Sequence, residues 1–177
     1  TVKILVMATG YGFNAEASGG YPLGYLTTAG KVGITKGIDI TNDAELTYGK
    51  FIRLLANTID VDIQKYVISG NSYEYFTEAG KTVLSEYLDI YFIKGRVIEN
   101  QYTGIIEPSS IGEKKVKIEK DSAGVEIYNT GTTDAARYLG YSVKIYAKEE
   151  TGSGEKTILN ISADTKKTDA VVIDAED

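Results

Sequence analysis

The chemistry open to this chain is limited first by two residue types that it lacks, histidine and cysteine. Without them, Ser-His-Asp and Cys-His triads, disulfides, thiolate metal sites and most zinc sites are excluded. Any catalysis would have to use carboxylates, lysine or tyrosine. The 177 residues include 25 Asp and Glu, 19 Lys and Arg, and 14 Tyr, so what matters is whether their spacing brings any of them together.

Three glutamates in the second half of the chain are candidates for carboxylate chemistry: Glu107, Glu113 and Glu119. Two carboxyl groups at a suitable separation hydrolyse glycosides, one as the acid and the other as base or nucleophile. These glutamates lie on or beside predicted strands, where charged side chains ordinarily form the solvated face. We therefore expect a protein that is not an enzyme and that uses no cofactor.

Oxygen ligands for a hard cation such as calcium are concentrated just before the third predicted helix. The side chains concerned are Asp39, Asn42, Asp43 and Glu45, with Asp60 and Asp62 as a second and sparser group. Their spacing matches no EF-hand loop, and Asp and Asn residues before a helix usually cap it. The stretch therefore predicts a capping loop without a bound metal.

Tyrosines outnumber phenylalanines by 14 to 4, and three of them, Tyr21, Tyr25 and Tyr48, lie in or next to predicted short helices. A tyrosine can bury its ring while its hydroxyl stays in water, which suits shallow cores, interfaces and contacts with sugars. The three rings could line a groove in which a sugar stacks, or they could cap a small helical core. We favour the second interpretation.

Charge and hydropathy exclude two classes of partner. The net charge is −6, and an acidic chain is repelled by a phosphate backbone, so no nucleic-acid partner is expected. The sequence has no run of about 18 apolar residues, so no insertion into a membrane is expected. Thr1 lies inside an apolar helical pattern without a cap, so we expect that a signal peptide or a preceding domain has been removed.

The elements that would position these side chains begin with a helical module over residues 1–66. The apolar run 2–9 predicts a helix, although so short a run would also fit a buried strand. A turn rich in Gly and Pro leads into a second short helix over 25–32. Thr47 is a good N-cap for a third helix over 48–58. The predicted buried stripe of that helix is Phe51, Leu54, Leu55 and Ile59.

A small hairpin over 63–75 and a connecting segment over 67–88 separate this module from a β domain over 89–177. Within that domain, strands are predicted at 90–99, 115–119, 125–128, 141–148 and 156–163. A bulge is predicted at Gly95 in the first of them. A compact helix capped by threonine is predicted at 132–140, and a last strand or tail at 170–173. The order predicts an OB-like five-stranded barrel, and an SH3-like barrel or an open meander fits nearly as well. The expected class is α+β.

Three motifs of the helical module resemble the S-layer homology region of bacterial surface proteins. They are the turn Gly20-Tyr21-Pro22-Leu23-Gly24, the helix end Gly33-Ile34-Thr35-Lys36-Gly37 and the helix start Leu46-Thr47-Tyr48-Gly49-Lys50-Phe51. The later segments 84–91, 94–97 and 132–141 resemble a region that follows such repeats in some clostridial surface proteins. The resemblance implies an exported, extracellular protein of a Gram-positive cell surface or S-layer assembly.

S-layer homology regions hold an anionic cell-wall polysaccharide, and by this resemblance the contacts would come from Tyr21, Gly24, Tyr48 and Lys50. The chain departs from the family because Tyr48 stands where the motif has arginine and Lys50 where it has glutamate. Tyrosine lacks the planar cationic fork that arginine offers to an acidic sugar. We therefore predict a structural building block that associates with itself or with other surface proteins, with a wall-polysaccharide anchor as the alternative.

Overall fold

A computed structural model describes residues 1–43, 45–70, 72–122 and 124–167. By its internal contacts the chain divides into two compact units, one of residues 1–88 and one that begins at Asp89. The first unit contains α-helices and a hairpin, and the second contains five strands, so the mixed α+β class predicted from the sequence is confirmed. The strand or tail predicted at 170–173 lies outside the described residues.

Four short helices form the body of the first unit. They are α1 Val2–Ala8, α2 Gly12–Ala17, α3 Leu23–Lys31 and α4 Tyr48–Thr58. Each contributes apolar side chains to one core, in which Val6, Ala15, Ala29 and Leu54 are fully buried together with Ile34 from the turn after α3. Helices this short are marginal in isolation, so burial of this shared core is what holds them.

Helix α4 begins as predicted but buries a narrower stripe. The hydroxyl of its N-cap Thr47 accepts a hydrogen bond from the amide of Lys50 at 3.3 Å. Leu54 is fully buried, whereas the predicted stripe member Leu55 is 38% exposed. Thr58 is buried instead, because its hydroxyl donates to the Leu54 carbonyl at 2.7 Å and so enters the core without an unpaired polar group.

The hairpin predicted over 63–75 is confirmed and is longer than expected, and regular structure continues through the segment 67–88 that was expected to connect the two domains. Strand β1 Asp62–Ser69 pairs antiparallel with β2 Ser72–Thr82, and the short helix α5 Val83–Leu88 follows. The predicted boundary at residue 66 therefore falls inside β1. At the far end of the hairpin, where the register shifts between Asp62 and Gln64, the Asp62 carboxylate accepts a hydrogen bond from the Gly80 amide at 2.8 Å.

Five strands make up most of the second unit: β3 Ile90–Asn100, β4 Lys115–Lys120, β5 Val125–Asn129, β6 Ser142–Glu149 and β7 Lys156–Ala163. Their hydrogen-bonded order is β3-β4-β5-β7-β6, and β6 pairs with β3 to close the ring. The pair β5 and β7 is parallel and the others are antiparallel. Alternate residues such as Val116, Ile118, Val143 and Ile145 fill the interior.

Two local predictions in this unit were wrong. The irregularity in β3 lies between Val97 and Glu99 rather than at Gly95. Gly95 is needed for close packing, because a Cβ there would lie 2.3 Å from the Glu119 carbonyl oxygen. The helix predicted at 132–140 is only the 3₁₀ turn Ala135–Tyr138 without a threonine cap, since the Thr133 hydroxyl donates to the Thr130 carbonyl and closes the preceding loop.

Candidate functional site

The predicted sugar-binding residues lead to a groove in the first unit, which we call the tyrosine groove. It is lined by Thr1, Val2, Lys3, Tyr21, Pro22, Tyr25, Leu26, Ile40, Thr41, Asn42 and Leu46. Tyr21 is 71% exposed, while Tyr25 is buried at the back of the groove. The two ring centroids are 6.5 Å apart, so the groove offers one accessible aromatic face and one supporting ring.

Helix α3, which contributes Tyr25 and Leu26 to this groove, packs tightly against α2 on another side. The Tyr21–Pro22 peptide is cis and leads directly into α3. Gly24 is buried in the first turn of α3, and a Cβ at this position would lie 2.1 Å from the Ala15 carbonyl oxygen. Glycine is therefore required for the close approach of the helices. The predicted ligand Gly24 therefore serves the packing of α3 on α2 and does not line the groove.

One cation lies over both rings of the tyrosine groove. The Lys3 ammonium is 5.7 Å from the Tyr21 ring centroid and 5.0 Å from that of Tyr25, within cation–π range. The Tyr25 hydroxyl donates to the Glu16 carboxylate at 2.6 Å. This hydrogen bond, with burial, raises the pKa of the Tyr25 hydroxyl, so the phenol stays neutral. The groove thus combines a positive charge with aromatic surface, a pairing suited to an anionic sugar.

The other two predicted ligands do not line the tyrosine groove. Tyr48 is 80% exposed at the first position of α4. Lys50 is half-buried, and its backbone amide is engaged by the Thr47 cap. The structure therefore places Tyr21 in the groove with Tyr25 and leaves Tyr48 and Lys50 on α4 beyond it. Lys3 was not among the predicted site residues, because its position in the first predicted helix gave no signal of a ligand contact.

A second aromatic feature joins α2 to the hairpin and was not predicted. Four rings follow one another in the order Phe13, Tyr75, Tyr66 and Tyr73, which we call the aromatic row. Successive ring centroids are 4.5, 5.9 and 5.6 Å apart. The signal in the sequence was the spacing of these tyrosines from the turn. If Ser69 pairs with Ser72, then Tyr66 lies opposite Tyr75, and Tyr73 is two residues from Tyr75, so the three side chains project from one face of the strand pair.

The notable carboxylates of the second unit lie at positions other than the predicted ones. Glu99 is buried, and its carboxylate accepts hydrogen bonds from the Lys117 ammonium, the Ser110 amide and hydroxyl, and the Ile111 amide. The Lys117 and Ser110 contacts hold the pKa of Glu99 well below its ordinary value, at about 2, although burial acts in the opposite direction. Glu99 therefore remains ionised and fully engaged.

Glu126 forms a similar but more exposed cluster with two lysines and a tyrosine. Its oxygens lie 2.6 Å from the Lys156 ammonium, 3.1 Å from that of Lys120 and 2.7 Å from the Tyr128 hydroxyl. Burial alone would raise the pKa of Glu126, but the three hydrogen bonds outweigh it and the pKa falls to about 2. The pKa of the buried Tyr128 hydroxyl is raised by its burial and by this carboxylate.

The residues considered as catalytic carboxylates or calcium ligands do not form hydrogen-bonded clusters like those of Glu99 and Glu126. Glu107, Glu113 and Glu119 are all exposed. Within the described ranges, no group of three or more acidic side chains is placed to hold a metal ion. The loop residue Asn42 donates weakly to Asp43 at 3.3 Å, and Asp62 serves the hairpin through Gly80. The contacts of Asn42, Asp43 and Asp62 are therefore local and structural.

Comparison with known proteins gives one informative relative. Over 131 residues, which are 72% of this chain, the sequence is 27% identical to a protein of Thermoanaerobacter kivui named "Cell surface protein". The matched part is 15% of the length of that protein. No family model and no solved structure matches the chain. In the described part of the chain, no helix has the length and apolar character needed to cross a membrane.

Proposed function

We propose that this chain is part of a non-enzymatic structural protein of the bacterial cell surface, where it serves as a building block through protein–protein contacts. The observation that carries the proposal is the apolar surface of the hairpin. Tyr66, Ile68 and Tyr73 are 57%, 66% and 59% exposed. Apolar side chains grouped into an exposed patch are a mark of an interaction surface.

The likeness to the Thermoanaerobacter kivui protein supports a surface location, since that protein is named for the cell surface. The three motifs that resemble S-layer homology regions support the same assignment for the first unit. For the second unit we propose an OB-like rather than an SH3-like architecture. The ring order β3-β4-β5-β7-β6, with a helical turn between β5 and β6, supports this choice.

The absence of enzymatic activity is also part of the proposal. Glu99 and Glu126, the carboxylates with the most lowered pKa values, are engaged by lysine ammonium groups and by amide or hydroxyl donors. A general acid must hold a proton near neutral pH, and a nucleophile must be open to substrate. Neither condition suits these two side chains, and both are better understood as structural ion pairs.

The first experiment is sedimentation velocity over a wide range of protein concentration, with negative-stain electron microscopy of the most concentrated samples. We expect the sedimentation coefficient to rise with concentration and ordered sheets, tubes or filaments to form without added cell wall. A chain that stays monomeric throughout, and forms no ordered particle, would contradict the structural proposal.

The second candidate function is a polysaccharide anchor, and the specific observation that favours it is Lys3 over the rings of the tyrosine groove. Cosedimentation with purified cell-wall sacculi tests it. Retention that is lost in Tyr21→Ala and in Lys3→Ala, but kept in Tyr48→Ala, would assign wall binding to the tyrosine groove. No retention of the unaltered chain would dismiss this candidate.

A further inference from the structure

Strand β1 has an outer edge whose backbone groups are only partly used. Near its start the Gln64 amide donates to the Thr9 carbonyl at 2.9 Å, which fixes the side to which this amide points. In a strand, alternate residues direct their amide and carbonyl groups to the same side. The backbone amide and carbonyl groups of Tyr66 and Ile68 therefore point to the outer edge as well. Within the described chain, neither makes a backbone hydrogen bond beyond the hairpin.

This outer edge lacks the features that usually protect a free strand. Natural edges are blocked by charges, prolines or bulges. Residues 66–69 are Tyr-Val-Ile-Ser, without charge or proline, and the pairing of β1 with β2 is regular from Gln64 to Ser69. Strand β2 is different, because it carries Glu74 and Glu78. The charges of β1, Asp62 and Lys65, precede residues 66–69, so the uncharged end of β1 is the part of the hairpin open to pairing.

We propose that β1 pairs antiparallel with β1 of a second copy of this chain, about a two-fold axis at Val67. In this register the outward groups of Tyr66 bond to those of Ile68 of the partner subunit, and the reverse pair forms by symmetry. The two hairpins become one four-stranded sheet. A sheet of three or more strands is much more stable in water than an isolated pair. The inference rests on the proposed function and names its interface.

The chemistry of the edge fits a second copy. In the proposed register the only charge on this stretch, Lys65, lies opposite Ser69 of the partner subunit, so no like charges face each other across the junction. Tyr66 opposite Ile68 of the partner subunit is an aromatic and β-branched pair, which is favourable in sheets. Because the chain carries a net charge of −6, two copies can approach with little repulsion along a stretch that has no acidic residue.

A matched pair of proline variants tests the edge. Ile68→Pro removes an outward amide of β1, whereas Thr77→Pro removes one that faces outward from β2, opposite Gln64 in the hairpin register. Proline at such an edge position breaks no bond within the hairpin. In sedimentation equilibrium, we expect Ile68→Pro to raise the dissociation constant about ten- to hundredfold, because the dimer loses two hydrogen bonds. Thr77→Pro should leave it within a few-fold of that of the unaltered chain.

Single cysteines give a second readout that does not depend on how well proline is tolerated. The natural chain has no cysteine, so Val67→Cys introduces one thiol at the proposed axis, where Cα atoms of facing residues are close enough for a disulfide. Glu74→Cys is the control, because Glu74 lies directly opposite Val67 on β2. After mild oxidation, a non-reducing gel should show a dimer for Val67→Cys and mainly monomer for Glu74→Cys.

The outcomes separate the interface from the proposed function. Association of the unaltered chain that survives Ile68→Pro, together with no selective cross-link at residue 67, would overturn the β1 interface and leave the structural role standing. A dimer cross-linked mainly through the Glu74→Cys variant would place the contact on β2 and also overturn it. If the unaltered chain never associates, the interface and the structural role fall together.

Discussion

The two units of this protein deal with buried polar groups in opposite ways. Among the described residues of the first unit, the polar residues that are buried as a whole are the threonines Thr9, Thr28 and Thr58. In the second unit they include the carboxylates Glu99 and Asp164, each paired with a lysine. The difference teaches that one chain can hold a helical core by hydrogen bonds that pH does not affect and a β core partly by ionised groups.

The reason for the difference lies in how each architecture satisfies its own backbone. A helix pairs its internal amides and carbonyls by itself, so Thr9 and Thr58 need only return a hydroxyl to a carbonyl of the preceding turn. The long loop between β3 and β4 has no such ladder. Its Ser110 and Ile111 amides are bound instead by the Glu99 carboxylate, and a charged acceptor binds amide donors more strongly than a neutral one.

The largest expected effect on stability comes from the apolar core of the first unit, where no charge is involved. Leu54→Ala should lower the free energy of unfolding of the first unit by about 2–5 kcal/mol, because it leaves a cavity in a fully buried site. Leu55→Ala is the control, since Leu55 is 38% exposed and its loss should cost much less. Denaturant unfolding measures both. Equal losses for the two variants would mean that the core of this unit is not where the structure places it.

Local and long-range features differed in how far the sequence revealed them. The Thr47 cap and the short helices depend on neighbouring residues, and the sequence predicted them. The packing of Gly24 on Ala15 and the pairing of Glu99 with Lys117 join residues that are distant along the chain. Nothing in the type or spacing of those residues specifies the partner, so neither the shape of the tyrosine groove nor the ion pairs could be derived beforehand.

Acid should weaken the second unit more than the first. The pKa values of Glu99 and Glu126 are lowered to about 2 from an ordinary 4.5, and that of Asp164 is lowered by Lys144. Because the folded-state pKa values are below the unfolded ones, this stabilisation is complete above about pH 4.5 and is lost as the pH falls toward about 2. In the described part of the first unit, the carboxyl group with a lowered pKa is that of Glu86, which the Lys65 ammonium hydrogen-bonds.

Hydrogen–deuterium exchange at pH 7 and pH 3, corrected for intrinsic exchange rates, measures this acid effect unit by unit. Amides of β3 to β7 should lose more protection than those of α1 to α4. A Glu126→Gln variant is the control, because it removes one titrating group and should reduce the loss between the two pH values. Greater acid loss in the helices would reverse the comparison.

The hydroxyls of two tyrosines donate to different acceptors, one charged and one neutral, so the stability lost without each hydroxyl can be compared. Tyr128→Phe removes a hydrogen bond to the Glu126 carboxylate and should cost about 1.5–3 kcal/mol, whereas Tyr11→Phe removes one to the Asp62 carbonyl at 3.0 Å and should cost about 0.5–1.5 kcal/mol. Thermal or denaturant unfolding of the two variants gives the difference. If Tyr11→Phe proved the costlier change, ionised acceptors would have no special weight in the second unit.

The smallest expected effect on stability is that of an exposed ion pair, which shows whether a charge must be buried to stabilise the second unit. Asp134 and Arg137 form an ion pair at 3.4 Å in the second unit, but their side chains are 76% and 69% exposed. Asp134→Asn should change the free energy of unfolding by no more than about 0.5 kcal/mol, because exposed pairs are screened by water and salt. A loss close to that of Tyr128→Phe would imply that any ion pair stabilises this unit. A negligible change would assign the stabilisation to the carboxylates that the strands and loops enclose, since the Glu99 and Asp164 side chains are only 9% and 7% exposed and accept hydrogen bonds from backbone amides as well as pairing with lysines.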